Sequence, residues 1–387
     1  MTILLVLIYL AFIGLGLPDS LLGAAWPQLR LDIGAPLSGA GMVSMIVTAG
    51  TIVSSLMSAR VIRRFGTGRV TAVSTALTAL ALLGYSVAPA YWWLCVMAVP
   101  LGLGAGAVDA ALNNYVALHY KAHHMSWLHC FWGLGATAGP MLLALFLPQP
   151  QGWRTGIRSI GLIQLVLVAV LTVSLPLWRS AGGKAQADTE ESGAPLTNRE
   201  ALRLRGLPAA LLTFFCYCGA ELGCGLWASS FLVGSRGVAP AQAAGWVSLY
   251  YAGITAGRFF SGFAMHRLSC RALIRLGGVT SLAGCVLLTL GLPAGFSALG
   301  LILIGLGCAP VYPCMIHETP ARFGKANSQT AMGLQMATAY CGSTLMPPLL
   351  GVLAQLISVS VFPWFLMVLF GLMLLASEAA AGGTAKN

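Results

Sequence analysis

Charge is scarce in this 387-residue sequence. Asp, Glu, Lys and Arg make up 8% of it, whereas hydrophobic residues make up 58%. So few charges do not cover the surface of a water-soluble globule of this size, and the composition therefore indicates a polytopic membrane protein. The excess of 21 basic over 10 acidic residues is typical of the cytoplasmic loops of such proteins, so it does not indicate nucleic-acid binding.

Motifs of catalysis and cofactor binding are also missing. The ten cysteines lie within or at the ends of apolar segments without a C-x-x-C pair, which is typical of small hydrophobic residues and not of disulfides or zinc ligands. No G-x-x-x-x-G-K-[ST] loop occurs, so ATP is not the predicted energy source. The first segment has no basic n-region and no cleavage site, and we expect it to be a mature helix. We expect no enzymatic reaction, no cofactor and no metal site.

Apolar segments of about 20 residues, the length that spans about 30 Å of hydrocarbon, recur along the whole chain. The sequence predicts twelve membrane helices, at residues 3–26, 38–60, 69–88, 92–118, 125–147, 157–178, 207–233, 241–264, 271–292, 295–316, 327–350 and 355–377. A polar interval at 180–206 separates six helices from six and contains a possible interfacial helix at 198–205. The predicted fold is therefore all-α, with six-helix bundles at 1–179 and 207–387 joined by a cytoplasmic linker.

The distribution of Lys and Arg predicts the orientation. With a cytoplasmic N-terminus, sixteen basic residues fall in inside loops and four in outside loops. The positive-inside rule then places both termini in the cytoplasm. We expect a multi-pass protein of a bacterial inner membrane that works as a monomer.

The two halves repeat each other at a nearly constant offset. Gly102-Leu-Gly104 recurs as Gly305-Leu-Gly307, and Asp19 has a counterpart in Glu221, at offsets of 203 and 202 residues. A constant offset over several motifs indicates an internal duplication.

This six-plus-six arrangement resembles the major facilitator superfamily. Within it, the chain is similar to the fucose/proton symporter family and to related sodium-coupled glucose carriers. The similarity rests on Asp19 in helix one, the Gly-rich segment 101–114 in helix four, segment 128–140 in helix five and Glu221 in helix seven. The Arg-rich segments 58–66 and 265–271 resemble a basic motif of the superfamily but lack its usual Asp. Fucose-type carriers have a Glu in helix four where this chain has Asp109.

The resemblance implies a secondary transporter that moves a small polar solute, a sugar or polyol, by proton-coupled symport with alternating access. Three acids, Asp19, Asp109 and Glu221, lie well inside apolar segments, where a charge costs about 2.5 to 3.5 kcal/mol and therefore indicates a functional site. Burial favours the neutral form of a carboxyl group, so proton loading removes the charge that opposes crossing. In this interpretation Asp109 takes and releases the coupling proton, and Asp19 binds solute or shares the proton.

Sodium is the competing coupling ion. Two carboxylates and the amides of Asn113 and Asn114 are hard oxygen ligands that suit it. Asp109 and Asn113 are four residues apart and share a helix face, so together they can also bind vicinal hydroxyls. For both Asn113 and Asn114 the alternative is an interhelical hydrogen bond.

Further solute ligands are predicted from polar and aromatic side chains in the apolar segments. His129 and Trp132 share one face of helix five, and the repeat relates His129 to Gln335 in helix eleven. Trp227 and Tyr251 offer flat faces for a sugar ring. Arg258 needs an anionic partner, either Glu221 or an anionic solute such as a sugar acid. We expect Glu318 to form an exposed pair or a gate contact with Arg322, and His123 and His124 to lie in a loop without a specific role.

Two other functions remain open at this point. The first is an exporter of hydrophobic drugs or metabolites, which the Asn, Gln and His side chains of the apolar segments disfavour. The second is a receptor or scaffold that does not transport, which is expected to need a soluble signalling domain.

Overall fold

The computed structural model describes residues 2–120, 122–181, 198–265 and 267–382. This part of the chain is helical and contains no strand. The helices are α1 (Thr2–Asp19), α2 (Leu21–Asp32), α3 (Gly39–Phe65), α4 (Thr67–Ser86), α5 (Tyr91–His119), α6 (Ala122–Phe146), α7 (Gly152–Val173), α8 (Leu175–Ala181), α9 (Asn198–Ala201), α10 (Leu207–Arg236), α11 (Pro240–Ala264), α12 (Cys270–Thr289), α13 (Gly295–Cys308), α14 (Val311–Phe323), α15 (Lys325–Leu356) and α16 (Phe362–Gly382). A 3-10 turn at Val359–Val361 precedes α16.

All twelve predicted apolar segments are helical. Within the described residues, eleven helical stretches are long and apolar enough to cross a membrane. The twelfth predicted segment corresponds to α11, which has the required length but is less apolar because it carries Arg258 and several Gly, Ser and Tyr residues. The all-α membrane fold is confirmed.

Two of the predicted membrane segments are interrupted helices. The first breaks at Ser20, between α1 and α2, close to Gly16, Pro18 and Gly23, residue types that weaken a helix. The second breaks between α13 and α14 at Pro310, whose ring nitrogen has no hydrogen to donate. The interruption after Asp19 places this acid at a helix end in the middle of a membrane-spanning stretch.

The predicted linker lies mostly outside the described residues, which omit 182–197. Helix α9 covers the first four residues of the predicted interfacial helix at 198–205, so only that part of the prediction is confirmed.

The chain forms two compact units. The first unit comprises Met1–Ala187 and Ala228–Ser248, and the second comprises Asp188–Trp227 and Leu249–Asn387. The limits of the predicted bundles, 1–179 and 207–387, stay a prediction.

In the first unit, α1 packs on α6, and α5 packs on α3 and α4. The core of this unit includes Phe12, Leu112 and Trp178. A buried amide, Gln164 on α7, accepts a hydrogen bond of 2.8 Å from the Thr78 hydroxyl and donates one of 2.6 Å to the Gly14 carbonyl. This amide therefore ties α1 and α4 to α7 through a fully satisfied polar contact.

Close helix packing recurs at equivalent places in the two units. In the first, Gly102 lies against the Val47 carbonyl so closely that an added Cβ would overlap the oxygen. In the second, Gly305 lies in the same way against the Tyr250 carbonyl. Both members of the second pair follow those of the first by 203 residues, so the repeat seen in the sequence extends to the packing of the helices.

Candidate functional site

The first part of the site is the pair formed by Asp19 and Trp132. The Trp132 Nε1–H on α6 donates a hydrogen bond of 2.8 Å to Asp19 Oδ2 at the end of α1. The Asp19 side chain is exposed, whereas its chain neighbours Leu17, Pro18 and Ser20 are buried. An exposed carboxylate in the middle of a membrane-spanning stretch needs a polar surrounding, because contact with lipid is costly.

Small residues bring α1 and α6 together at this point. An added Cβ on Gly16 would overlap the Trp132 carbonyl oxygen, and one on Gly135 would overlap the Ile13 carbonyl oxygen. The buried Ser20 hydroxyl donates a hydrogen bond of 2.8 Å to the Ala136 carbonyl. Such close approach requires glycine, and it sets the distance at which the indole reaches the carboxylate.

Asp109 and Asn113 form the second part of the site, on α5 of the same unit. Asn113 Nδ2 donates to Asp109 Oδ1 at 2.9 Å and to the Asp109 carbonyl at 3.0 Å. Both side chains are half-buried. Asp109 lies in the same unit as Asp19, close enough for the two charges to interact. The side chain of Asn114 lies outside the described residues, and its assignment stays a prediction.

His129 lies one helical turn before Trp132 on α6, as predicted. Its ring is half-buried and meets Phe12 edge-on, with ring centroids 6.0 Å apart. Solute binding by His129 stays a prediction.

The loop placement of His124 was wrong. This residue lies within α6, and the hydroxyl of Tyr9 on α1 is 2.8 Å from its Nδ1. The sequence gives little sign of this partner, which lies 115 residues away. His123 falls on the same helix, and its side chain lies outside the described residues.

The acid and the guanidinium of the second unit form an ion pair. Arg258 Nη2 on α11 lies 3.0 Å from Glu221 Oε1 on α10, and each side chain is 18% exposed. Tyr217 and Tyr312 lie close enough to Arg258 to interact with its charge, and the Tyr250 hydroxyl donates to the Glu221 carbonyl at 2.8 Å. Of the two partners that the sequence left open for Arg258, the structure shows Glu221.

Three predicted solute ligands of the second unit are packed inside it. Trp227 is fully buried and its Nε1–H donates to the Pro347 carbonyl at 2.8 Å. Gln335 is 1% exposed and its Oε1 accepts a hydrogen bond of 3.0 Å from Thr319. Tyr251 is 5% exposed, with its hydroxyl against Gly225. The structure shows no open surface on these side chains, so their contact with a solute stays a prediction.

Two further charged clusters lie in the second unit. The predicted ion pair of Glu318 and Arg322 is present, but the two side chains are 22% and 12% exposed, so the pair is not an exposed one, and its alternative role as a gate contact stays a prediction. The sequence reasoning missed the second cluster, in which Glu378 on α16 pairs with Arg271 and Arg275 on α12. Glu378 is more than 100 residues from either arginine along the chain, so no local pattern signals the cluster.

Comparison with known proteins connects this geometry to a family. The profile of the Major Facilitator Superfamily matches residues 8–328 and 225–381. The glucose/mannose transporter GlcP of Bacillus subtilis is 25% identical over 278 residues, which are 68% of this chain and 66% of GlcP. The profile matches cover most of the chain and so establish the family.

Solved structures agree with this assignment at the level of the fold. A single-residue variant of the nucleoside transporter NupG superposes with a TM-score of 0.77 at 13% identity, covering 97% of this chain and 98% of NupG. A single-residue variant of the E. coli fucose:proton symporter FucP gives a TM-score of 0.64 at 15% identity, covering 98% of both chains. The chain belongs to the Major Facilitator Superfamily and is a multi-pass membrane transporter, not an enzyme.

Proposed function

We propose that this transporter is a proton-coupled symporter of a sugar or polyol that works by alternating access. The observation that carries the proposal is the kind of partner that the two acids of the first unit have. Asp19 accepts from an indole N–H and Asp109 from an amide N–H, both of which are neutral. Within the described residues, neither carboxylate takes part in an ion pair.

Neutral donors hold a carboxylate in place without cancelling its charge. A negative charge at this depth opposes the conformational change, because the carboxylate must move through a low-dielectric surrounding. A bound proton removes that charge, and the carboxyl group still has an oxygen that accepts the hydrogen bond from Trp132 or Asn113. We assign the coupling proton to Asp109, and solute binding or a share of the proton to Asp19.

The solute class is supported by the relatives. GlcP is named a glucose/mannose transporter and FucP a fucose:proton symporter. Asp109, Asn113, Asp19 and the Trp132 ring offer acceptors, donors and a flat apolar face in one unit, which is the set that a sugar or polyol requires. Nucleosides belong in the same experimental panel, because the fold is also that of a nucleoside transporter.

Sodium is the alternative coupling ion, because the Asp19 and Asp109 carboxylates and the Asn113 amide oxygen are hard ligands. We further propose an inner-membrane location with both termini in the cytoplasm, on the distribution of Lys and Arg, and a monomeric state.

The test is uptake into sealed proteoliposomes. Labelled sugars, polyols, sugar acids and nucleosides are offered under an imposed proton gradient and, separately, under a sodium gradient. We expect a neutral sugar or polyol to accumulate with the proton gradient alone. Accumulation that requires sodium would replace the proton in the proposal, and efflux of apolar compounds without sugar uptake would favour an exporter.

A further inference from the structure

The two acids related by the repeat have different partners. Asp19 in the first half is held by the neutral Trp132 indole. Glu221, 202 residues later, faces the permanently charged Arg258 at 3.0 Å. In the part of the chain that the structure describes, one half therefore holds a carboxylate without an ion pair at this position, and the other holds an ion pair.

The difference extends to the neighbouring positions. At the offset of 203, Tyr312 stands where the first half has Asp109, and Arg258 stands where it has Ser55. The Ser55 hydroxyl donates within its own unit to the Gly106 carbonyl at 3.3 Å, whereas Arg258 reaches Glu221. At these related positions the second half has a tyrosine in place of the second acid and a guanidinium that balances the charge of Glu221.

This balance opposes a proton-carrying role for Glu221. Arg258 stays charged at any working pH. Protonation of Glu221 would leave that charge without a counter-ion in a membrane-spanning unit, and removal of one partner of such a pair is strongly unfavourable. Asp109 has no such constraint, because Asn113 is neutral in every state.

The charge balance of this ion pair also determines which solutes can bind beside it. Each side chain of the pair is 18% exposed, so a small part of it is available for contact. A hydroxyl group can accept from a guanidinium and donate to a carboxylate. An anionic solute at Arg258 would place its charge beside the Glu221 carboxylate, and the repulsion disfavours it.

We propose that the Glu221–Arg258 pair carries no coupling proton and restricts this transporter to uncharged hydroxylated solutes. The inference deepens the proposed function and rests on it. It departs from the sequence prediction that Glu221 belongs to the proton-coupling acids, and of the two partners considered there for Arg258 it retains Glu221 and not an anionic solute.

The first experiment measures binding of glucose and glucuronate, which differ by one carboxylate, through thermal stabilisation of the purified protein. We expect no stabilisation of the native protein by glucuronate. Glu221→Gln leaves Arg258 without its counter-ion, so it is expected to bind glucuronate roughly tenfold or more tightly than the native protein. The double variant Glu221→Gln with Arg258→Gln has no net charge at the pair and is expected to lose this gain.

The second experiment measures proton-driven accumulation by the double variant. We expect accumulation to be retained, at a reduced rate, because the acids of the first unit are intact. The charge-reversed variant, Glu221→Arg with Arg258→Glu, keeps the pair and serves as the test if the neutral double variant does not fold.

Two results would overturn the inference. One is binding of glucuronate by the native protein as tight as that of any neutral sugar or polyol in the panel. The other is a folded double or charge-reversed variant that exchanges solute but no longer accumulates it. The proposed function is tested by a different measurement. Uptake by the native protein that depends on sodium would contradict proton coupling, whereas the glucuronate binding measurement uses no ion gradient and tests only the Glu221–Arg258 pair.

Discussion

Trp132 Nε1 lies 2.8 Å from Asp19 Oδ2, so a neutral indole on α6 orients the carboxylate at the break between α1 and α2. An indole N–H is a donor only and cannot take up the proton itself. Under the proposed function Asp19 would bind and release a proton or contact a solute hydroxyl, and the contact with Trp132 would hold its orientation in each case.

The first prediction concerns Asp109. We expect Asp109→Asn to abolish accumulation against a gradient and to leave solute exchange across the membrane largely intact, because an amide can bind hydroxyls but cannot carry the proton. The measurement compares uphill uptake with counterflow in proteoliposomes.

Asp32→Asn is the matched control for Asp109→Asn. Asp32 ends α2 in the same unit and accepts a hydrogen bond from Trp153 at 2.5 Å, away from the site. Uphill uptake that survives Asp109→Asn would remove Asp109 from the coupling role.

The second prediction concerns Trp132. Trp132→Phe keeps an aromatic face and removes the N–H group that donates a hydrogen bond to Asp19. Hydrogen bonds to charged groups contribute about 1.5 to 3 kcal/mol, and exposure of Asp19 reduces this to about 1 kcal/mol, so we expect solute affinity to fall roughly fivefold. Trp127→Phe, at an exposed position of the same helix, is expected to leave affinity unchanged. Equal affinities of the two variants would contradict an orienting role for Trp132.

The third prediction concerns the contact between α1 and α6. In Gly135→Val the new side chain meets the Ile13 carbonyl, and overpacking of this kind costs about 1 to 3 kcal/mol. We expect an unfolding temperature lower by several degrees and lower uptake, because α6 carries Trp132. Gly371→Val on α16 has open space around the glycine and serves as the control; a comparable loss there would argue against a specific contact at Gly135.

The fourth prediction concerns Glu378, which pairs with both Arg271 and Arg275. All three side chains are partly exposed, so the pairing is screened by salt. We expect Glu378→Gln to lower the unfolding temperature at low ionic strength, with a smaller difference in roughly 1 M salt, where the screening length falls to about 3 Å. A difference that does not change with salt would indicate a packing defect in place of a lost ion pair.

Much of the fold follows from the sequence because membrane spans are set by long apolar stretches. The helix interruption after Asp19 was predictable from the Gly and Pro residues around it, and the Glu221–Arg258 pair from the cost of leaving a guanidinium alone in a membrane. These are strong energetic constraints, so they leave clear traces in the residue types.

The partners that depend on helix packing were not predictable. Nothing in the sequence pairs Asp19 with Trp132, 113 residues away, because that contact depends on how closely Gly16 and Gly135 let two helices approach. Trp227 was predicted to face the solute because its flat ring suits a sugar and it lies in an apolar segment with Glu221. Its burial against α15 depends on tertiary packing, which sequence spacing does not report.

The paired packing of Gly102 on the Val47 carbonyl and of Gly305 on the Tyr250 carbonyl bears on how such a molecule evolves after duplication. A contact between a glycine and a main-chain oxygen does not depend on the identity of the side chains around it. Each half could therefore change other side chains of these helices without repacking them. The difference between Asp109 and Tyr312 at the related position is one such case, in which the two halves differ in charge while they share the same helix contacts.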